Sequence, residues 1–258
     1  MSSGPLSTTA LSDLVGALAS GAVTLVDLTQ PLSERTPVLI LPEPFANTPG
    51  LSREPLSRYD DAGPAWAWDV LHIGEHVGTH FDAPIHWITG RDGEDVASVP
   101  LSRLVGPAVV IDKSAEAAEN PDYLLTLDDV RAFEAEHGAL PEGGWLFLRT
   151  GWDARAHDQD AFLNNANTPG PDVECARYLA EEAPIVGFGV ETVGTDAGAA
   201  HSFDPAFPVH HFLLGAGKYG LTQLANLAVL PPTGAGVVVA PLKLVDGTGS
   251  PSRVLALT

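Results

Sequence analysis

Leu11, Leu14, Val15 and Leu18 recur at helical spacing behind the Ser7 to Thr9 cluster, and Gly21 ends the pattern. Residues 1–22 are therefore predicted to form an N-terminal helix whose apolar stripe docks on the body or on a second subunit. Short apolar runs predict strands over 23–28, 66–73, 108–111, 145–149, 185–190, 237–244 and 254–257, the last two arranged around a turn at 247–251. Thr126 and Asp129 stand in capping-box spacing ahead of Val130 and Phe133, and Gly138 stops that helix. Another helix is predicted over 171–183, with Pro171 near its first turn. Residues 31–64 and 153–171 lack periodicity and are read as long loops, which in a compact domain serve function or an interface. Strands alternate with helices without duplication or a low-complexity linker. The expected class is α/β, one domain over 1–258.

Charge changes the picture more than hydrophobicity does. The chain is 45% hydrophobic, but 33 Asp and Glu oppose 13 Lys and Arg for a formal charge of −20. Phosphate backbones are repelled by such a surface, so nucleic acid is not an expected partner. No run approaches the roughly 18 apolar residues needed to cross a bilayer, and the N-terminus lacks the basic and apolar regions of a secretory signal. The expectation is a cytoplasmic protein with no membrane partner. Cys175 is alone, which excludes an intrachain disulfide. It falls on an apolar helical face and there is no GxSxG, so a thiol or serine nucleophile has no support. Residues 215–220, GAGKYG, match GxGxxG as a string but lack a preceding strand and are read as a turn.

The chemistry concentrates in His76-Val77-Gly78-Thr79-His80-Phe81-Asp82-Ala83-Pro84-Ile85-His86. In an extended run, even positions share one face, which sets His76, His80, Asp82 and His86 toward the same space. Imidazoles converging with a carboxylate suit Zn²⁺, Mn²⁺ or Fe²⁺. Grouping four such side chains brings no packing benefit. Trp66, Trp68, Phe81 and Trp87 lie close to the run in sequence and are candidates to wall a flat, apolar substrate. Two other classes fit part of the pattern. His80, Asp82 and the distant His210 have the make-up of an iron oxygenase facial triad, and a non-catalytic metal-binding protein would use the same ligands.

The run resembles the signature HxGTHxDxPxH of the cyclase family of metal-dependent hydrolases, which includes kynurenine formamidases and isatin hydrolases. Further blocks agree: DLTQPL at 27–32, RTGW at 149–152, GTDAG at 194–198, Asn226-Leu227 and GTGSP at 247–251. The likeness runs from about residue 23 to the C-terminus. EHVGTHFDAPIHWITG at 75–90 and PLKLVDGTGSPSRVLAL at 241–257 are most similar to the isatin hydrolase branch. A Trp-Pro-Gly-Asp element of kynurenine formamidases is missing, and Gln223 stands where they carry a glutamate that helps hold a second metal. The resemblance implies a swivelling β/β/α domain, dimeric or larger, with one divalent metal, Mn²⁺ before Zn²⁺, on His76, His80 and Asp82. It implies that hydroxide generated on the ion attacks the carbonyl of a small aromatic amide or lactam, isatin first, giving isatinate. An N-formyl aromatic amine or a lactone is the alternative substrate. His86 is the expected general base and acid, and His210 the expected substrate donor with Trp66 and Trp87 beside it. Gln223 and His211 are candidates for supporting hydrogen bonds.

Overall fold

The computed structural model describes residues 8–258, so the start of the expected N-terminal helix lies outside the described residues. Helix α1 spans Thr8–Ser20, and Gly21 ends it with φ +76°, the left-handed region that glycine enters without steric cost. Leu11, Leu14 and Val15 are exposed, so within the protomer this stripe is not docked on the body.

Strand β1 (Leu25–Asp27) is followed by a hairpin of β2 (Ser52–Arg58) and β3 (Ala67–His72), and then by β4 (His80–Asp82). β2 corrects the reading of 31–64 as loop throughout. Only its Ser57 is buried, so no alternation of apolar residues marks it. The chain continues through β5 (Val105–Asp112), α2 (Ser114–Glu119), β6 (Leu124–Leu125), α3 (Leu127–His137) and β7 (Trp145–Arg149). It proceeds through α4 (Gln159–Leu163), β8 (Gly170–Pro171), α5 (Val173–Glu181) and β9 (Gly187–Val190), and closes with β10 (Tyr219–Thr222), β11 (Ala235–Pro241) and β12 (Gly249–Leu257). The Thr126 and Asp129 capping box is formed on α3. Residues 249–251, expected in a turn, open β12 instead, because their backbone pairs with β4.

Eight strands form one sheet in the order β1-β12-β11-β5-β7-β9-β10-β4, and β4 pairs back onto β12, closing the sheet into a barrel. β5, β7, β9 and β10 are parallel neighbours. Alternation along β7 divides the core in two. Trp145 and Phe147 join the cluster of Phe81, Tyr219, Leu221, Val237 and Val254 inside the barrel. Leu146 and Leu148 join Val130, Phe133, Cys175 and Leu179 under α3 and α5. Gly187 and Gly189 pair with Trp145 and Phe147, and a Cβ on either would sit within 2.7 Å of the facing ring, so glycine there makes room for the aromatics. The result is an α/β fold built on a closed sheet, with β4 at the seam.

Candidate metal centre and cleft

β4 is three residues long and splits by parity. Phe81 points into the barrel core, fully buried, which removes it from the expected aromatic wall of the site. His80 and Asp82 point to the opposite face, where register places Thr222 and Pro251 beside His80, and Gly220 and Gly249 beside Asp82. Those glycines are cradles. A Cβ on Gly220 would lie 2.8 Å from Asp82 Oδ2, and one on Gly249 2.4 Å from His76 Cε1. The convergence is thus made by one strand and two folded flanks rather than by eleven extended residues. His76 comes from the bend before β4, and His86 from the 3₁₀ turn Pro84–His86 after it.

Each of the first two imidazoles has one nitrogen anchored on protein and the other near Asp82. The Thr222 hydroxyl also lies 2.8 Å from His80 Nδ1 and 3.1 Å from its Nε2. His76 Nε2 lies 2.9 Å from the Thr248 hydroxyl, which in turn donates to Glu75 Oε2 at 2.5 Å. His76 Nδ1 is 2.9 Å from Asp82 Oδ1. His80 Nδ1 donates to the Gly78 carbonyl at 2.7 Å, and its Nε2 is 3.4 Å from the same Asp82 oxygen. The ligand atoms of His76, His80 and Asp82 all lie within 4.8 Å of one another. Anchoring the far nitrogen fixes tautomer and ring orientation, as metal-ligating histidines require. Two imidazoles and one carboxylate fit a divalent ion while leaving coordination positions for solvent or substrate.

Burial sets the protonation here. It holds the His80 imidazole down to about 4 despite the Asp82 carboxylate. Burial also holds His86 down to about 3, with the imidazoles of His76, His210 and His80 adding to it against Asp82. Burial alone would raise the Asp82 carboxyl, yet His80, His76 and His86 hold it well below the usual carboxylate range. The His86 ring stacks on His76 at 3.9 Å between centroids.

The other wall is His210 on a π-helical turn, His210–Leu214. Its ring lies 5.6 Å from His86 and 4.8 Å from Trp87, and Phe207 approaches Trp87 at 5.7 Å. The neighbouring His211 turns away. Its ring packs on Phe212, and its carbonyl accepts from the Thr89 hydroxyl. Trp87 therefore joins the cleft, whereas Trp66 and Trp68 do not. Both are exposed on the β2–β3 hairpin, the Trp66 indole lying against Gly63 and Ser57. Gln223 is buried directly after β10. Its carbonyl accepts from Thr79 at 2.6 Å, its amide nitrogen donates to the Pro37 carbonyl at 3.4 Å, and its side-chain oxygen has no protein partner. Sequence reasoning assigned no role to Thr248, Thr222, Phe207 or Asp196, which meet the cleft only through strand register or a distant loop.

Two imidazoles and a carboxylate suited to a metal ion, on the outer face of a closed α/β sheet, define the class. The profile of the Cyclase family ("Putative cyclase") matches residues 26–197, and the chain belongs to this family. Isatin hydrolase of Roseibium aggregatum is 49% identical over 255 residues, covering 96% of this chain and 97% of that protein. A crystal structure of an isatin hydrolase bound to the product analogue thioisatinate superposes with a TM-score of 0.95 at 47% identity, covering 100% of this chain and 99% of the other. Kynurenine formamidase of Salinibacter ruber is more distant, 32% identical over 72% of this chain and 77% of that protein.

Proposed function

We propose that the protein is a metal-dependent amidohydrolase that opens the five-membered lactam of isatin to isatinate. The observation that carries this reading is the pair of imidazoles that meet one Asp82 oxygen beneath His86, in a chain nearly half identical to an isatin hydrolase along its length. His76, His80 and Asp82 are the residues that hold the ion, Mn²⁺ in preference to Zn²⁺. Once bound, the ion supplies Lewis acidity to a carbonyl and lowers the pKa of water.

The chain's own groups do the rest. His86 takes the proton of the attacking water as a C–O bond forms at the lactam carbon. It returns that proton to the ring nitrogen as the C–N bond breaks, leaving an aromatic amine and a carboxylic acid that loses the second water proton to solvent as the carboxylate. His210 donates toward the carbonyl oxygen, and Trp87 stacks on the fused ring. Thr248 and Glu75 keep His76 oriented, and the Gly78 carbonyl does the same for His80.

The assembly is proposed to be a cytoplasmic homodimer or larger. The exposure of Leu11, Val15, Trp68 and Leu71 supports this, and light scattering in solution tests it. Among the described residues no helix is long and apolar enough to cross a membrane. The activity is tested by following absorbance on addition of isatin, before and after chelation and after restoring Mn²⁺ or Zn²⁺, with an N-formyl aromatic amine in parallel. Metal-dependent loss of isatin supports the reading. Turnover of the formyl amine alone replaces isatin with the alternative substrate, and no turnover of either overturns it.

A further inference from the structure

His210 is tied into place more completely than a substrate contact needs, and apart from a 3.4 Å contact of its Nδ1 with the Thr195 hydroxyl the ties lead to one carboxylate. Asp196 Oδ1 accepts the Val209 N–H at 2.7 Å. Asp196 Oδ2 accepts the His210 N–H at 3.1 Å and lies 2.5 Å from His210 Nδ1. The side chain thus fixes both the start of the π-helical turn and the ring it carries. π-turns inside helices recur at functional sites, because the extra residue re-aims one side chain. With Nδ1 committed to Asp196, the nitrogen left free is Nε2, at the end of the ring away from the carboxylate. His210 lies among Trp87 and His86.

Asp196 is itself immobile. The loop that carries it is buried at Thr195, Asp196 and Ala197. Gly198 donates to the Thr168 carbonyl at 2.9 Å, and a Cβ on Gly198 would sit 1.8 Å from the Ala166 carbonyl oxygen. On the other flank a Cβ on Gly170 would meet the Ala197 nitrogen at 2.4 Å, and the Thr192 hydroxyl donates to the Gly194 carbonyl at 2.9 Å. Backbone packed this closely cannot drift, so the carboxylate is a fixed reference for the imidazole.

We propose that Asp196 is a positioning residue for the hydrolysis, holding His210 so that Nε2–H meets the oxygen that gains negative charge as the lactam carbonyl is attacked. A neutral imidazole that gives its Nδ1 proton to Asp196 has only a lone pair at Nε2 and cannot donate there. The donor form is the imidazolium, and the groups around His210 bear on it in both directions. Burial opposes the proton, whereas Asp196 and, farther off, Asp82 favour it. The balance lies above the ordinary histidine value. This assigns opposite tasks to two histidines 5.6 Å apart: His86 accepts a proton and His210 supplies a hydrogen bond. The inference rests on the isatin-opening reading for its substrate, but not for the Asp196–His210 geometry.

The test is a double-mutant cycle of Asp196→Asn and His210→Ala in the metal-loaded enzyme, with kcat, KM, metal content and pH profile measured for each. Asp196→Asn should lower kcat about 100-fold, with KM and metal content within about threefold of wild type. The alkaline limb of its kcat/KM profile should move to lower pH, since the amide no longer favours the His210 proton. In the His210→Ala background the same substitution should cost less than about threefold, because Asp196 acts through that ring. Equal losses in both backgrounds, or an unmoved alkaline limb, would overturn the proposal in favour of a loop-stabilising role.

Should Asp196→Asn fail to fold, ¹⁵N-histidine NMR of the wild-type holoenzyme decides, the His210 signals being assigned by their loss in His210→Ala. Protons on both ring nitrogens at working pH are expected, and a bare Nδ1 or bare Nε2 overturns the role. If wild-type enzyme leaves isatin intact, the substrate reading fails while the NMR result still stands or falls by itself.

Discussion

His80 and His86 lie on one side of the cleft and His210 on the other, all largely buried, yet the two sides treat a proton differently. Burial strips His80 to about 4 and His86 to about 3, outweighing the charge of Asp82 close by. His210 has Asp196 to itself through a 2.5 Å contact, and its proton is held above the usual range. In the proposed reaction the first side supplies the ligands and the base, and the second the donor. The difference lies in the direct carboxylate hydrogen bond that His210 has and that His80 and His86 lack.

Removing the shared carboxylate should do the most damage. Asp82→Ala is expected to lose bound metal and at least about 10⁴-fold in kcat/KM for isatin, measured on protein reconstituted with Mn²⁺. His86→Ala keeps the ligands and so separates the base from the metal. Its kcat should fall about 10²- to 10⁴-fold with metal content unchanged, and retained turnover would take His86 out of its assigned role. Gly249→Ala tests the cradle, since its Cβ would displace His76 by its 2.4 Å approach. Metal affinity should weaken about 10- to 100-fold in a chelator competition.

The smallest effect is on stability, and it sharpens the contrast between the two sides. His80 and His86 have lowered folded-state values, so their contribution is full above the unfolded value of about 6.5 and is lost as pH falls toward 3 to 4. His210 is raised, so its contribution is full below that same value and is lost as pH rises through its folded value. In chelated protein the Tm of His86→Ala should fall less than wild type between pH 7 and pH 5, and that of His210→Ala should fall less on the alkaline side. Differences of about 2–5 °C are expected by calorimetry. Parallel profiles for both variants would erase the distinction.

What could be read from the sequence was what is local in the chain. The capping box of Thr126 and Asp129, and β7 with its Trp-Leu-Phe-Leu alternation, are set by neighbours within a few residues. The convergence of His80 and Asp82 was legible for the same reason, since they stand two apart on one strand. β10 was hidden behind the GAGKYG string, and β12 began earlier than expected because Gly249 and Pro251 are strand only by pairing with Asp82 and His80. Asp196 was quoted within a motif but given no task, since nothing along the chain says that a π-turn brings His210 to it. Trp66 failed in the opposite way. It lies ten residues before His76 in the chain, but the β2–β3 hairpin carries it to an exposed face.

Elemental analysis of freshly purified protein tests the centre most directly. The account predicts about one Mn²⁺ or Zn²⁺ per chain, one of the metals suited to this ligand set, falling to background in Asp82→Ala. A wild-type chain that purifies without a divalent ion and takes none up on incubation with Mn²⁺ or Zn²⁺ contradicts it.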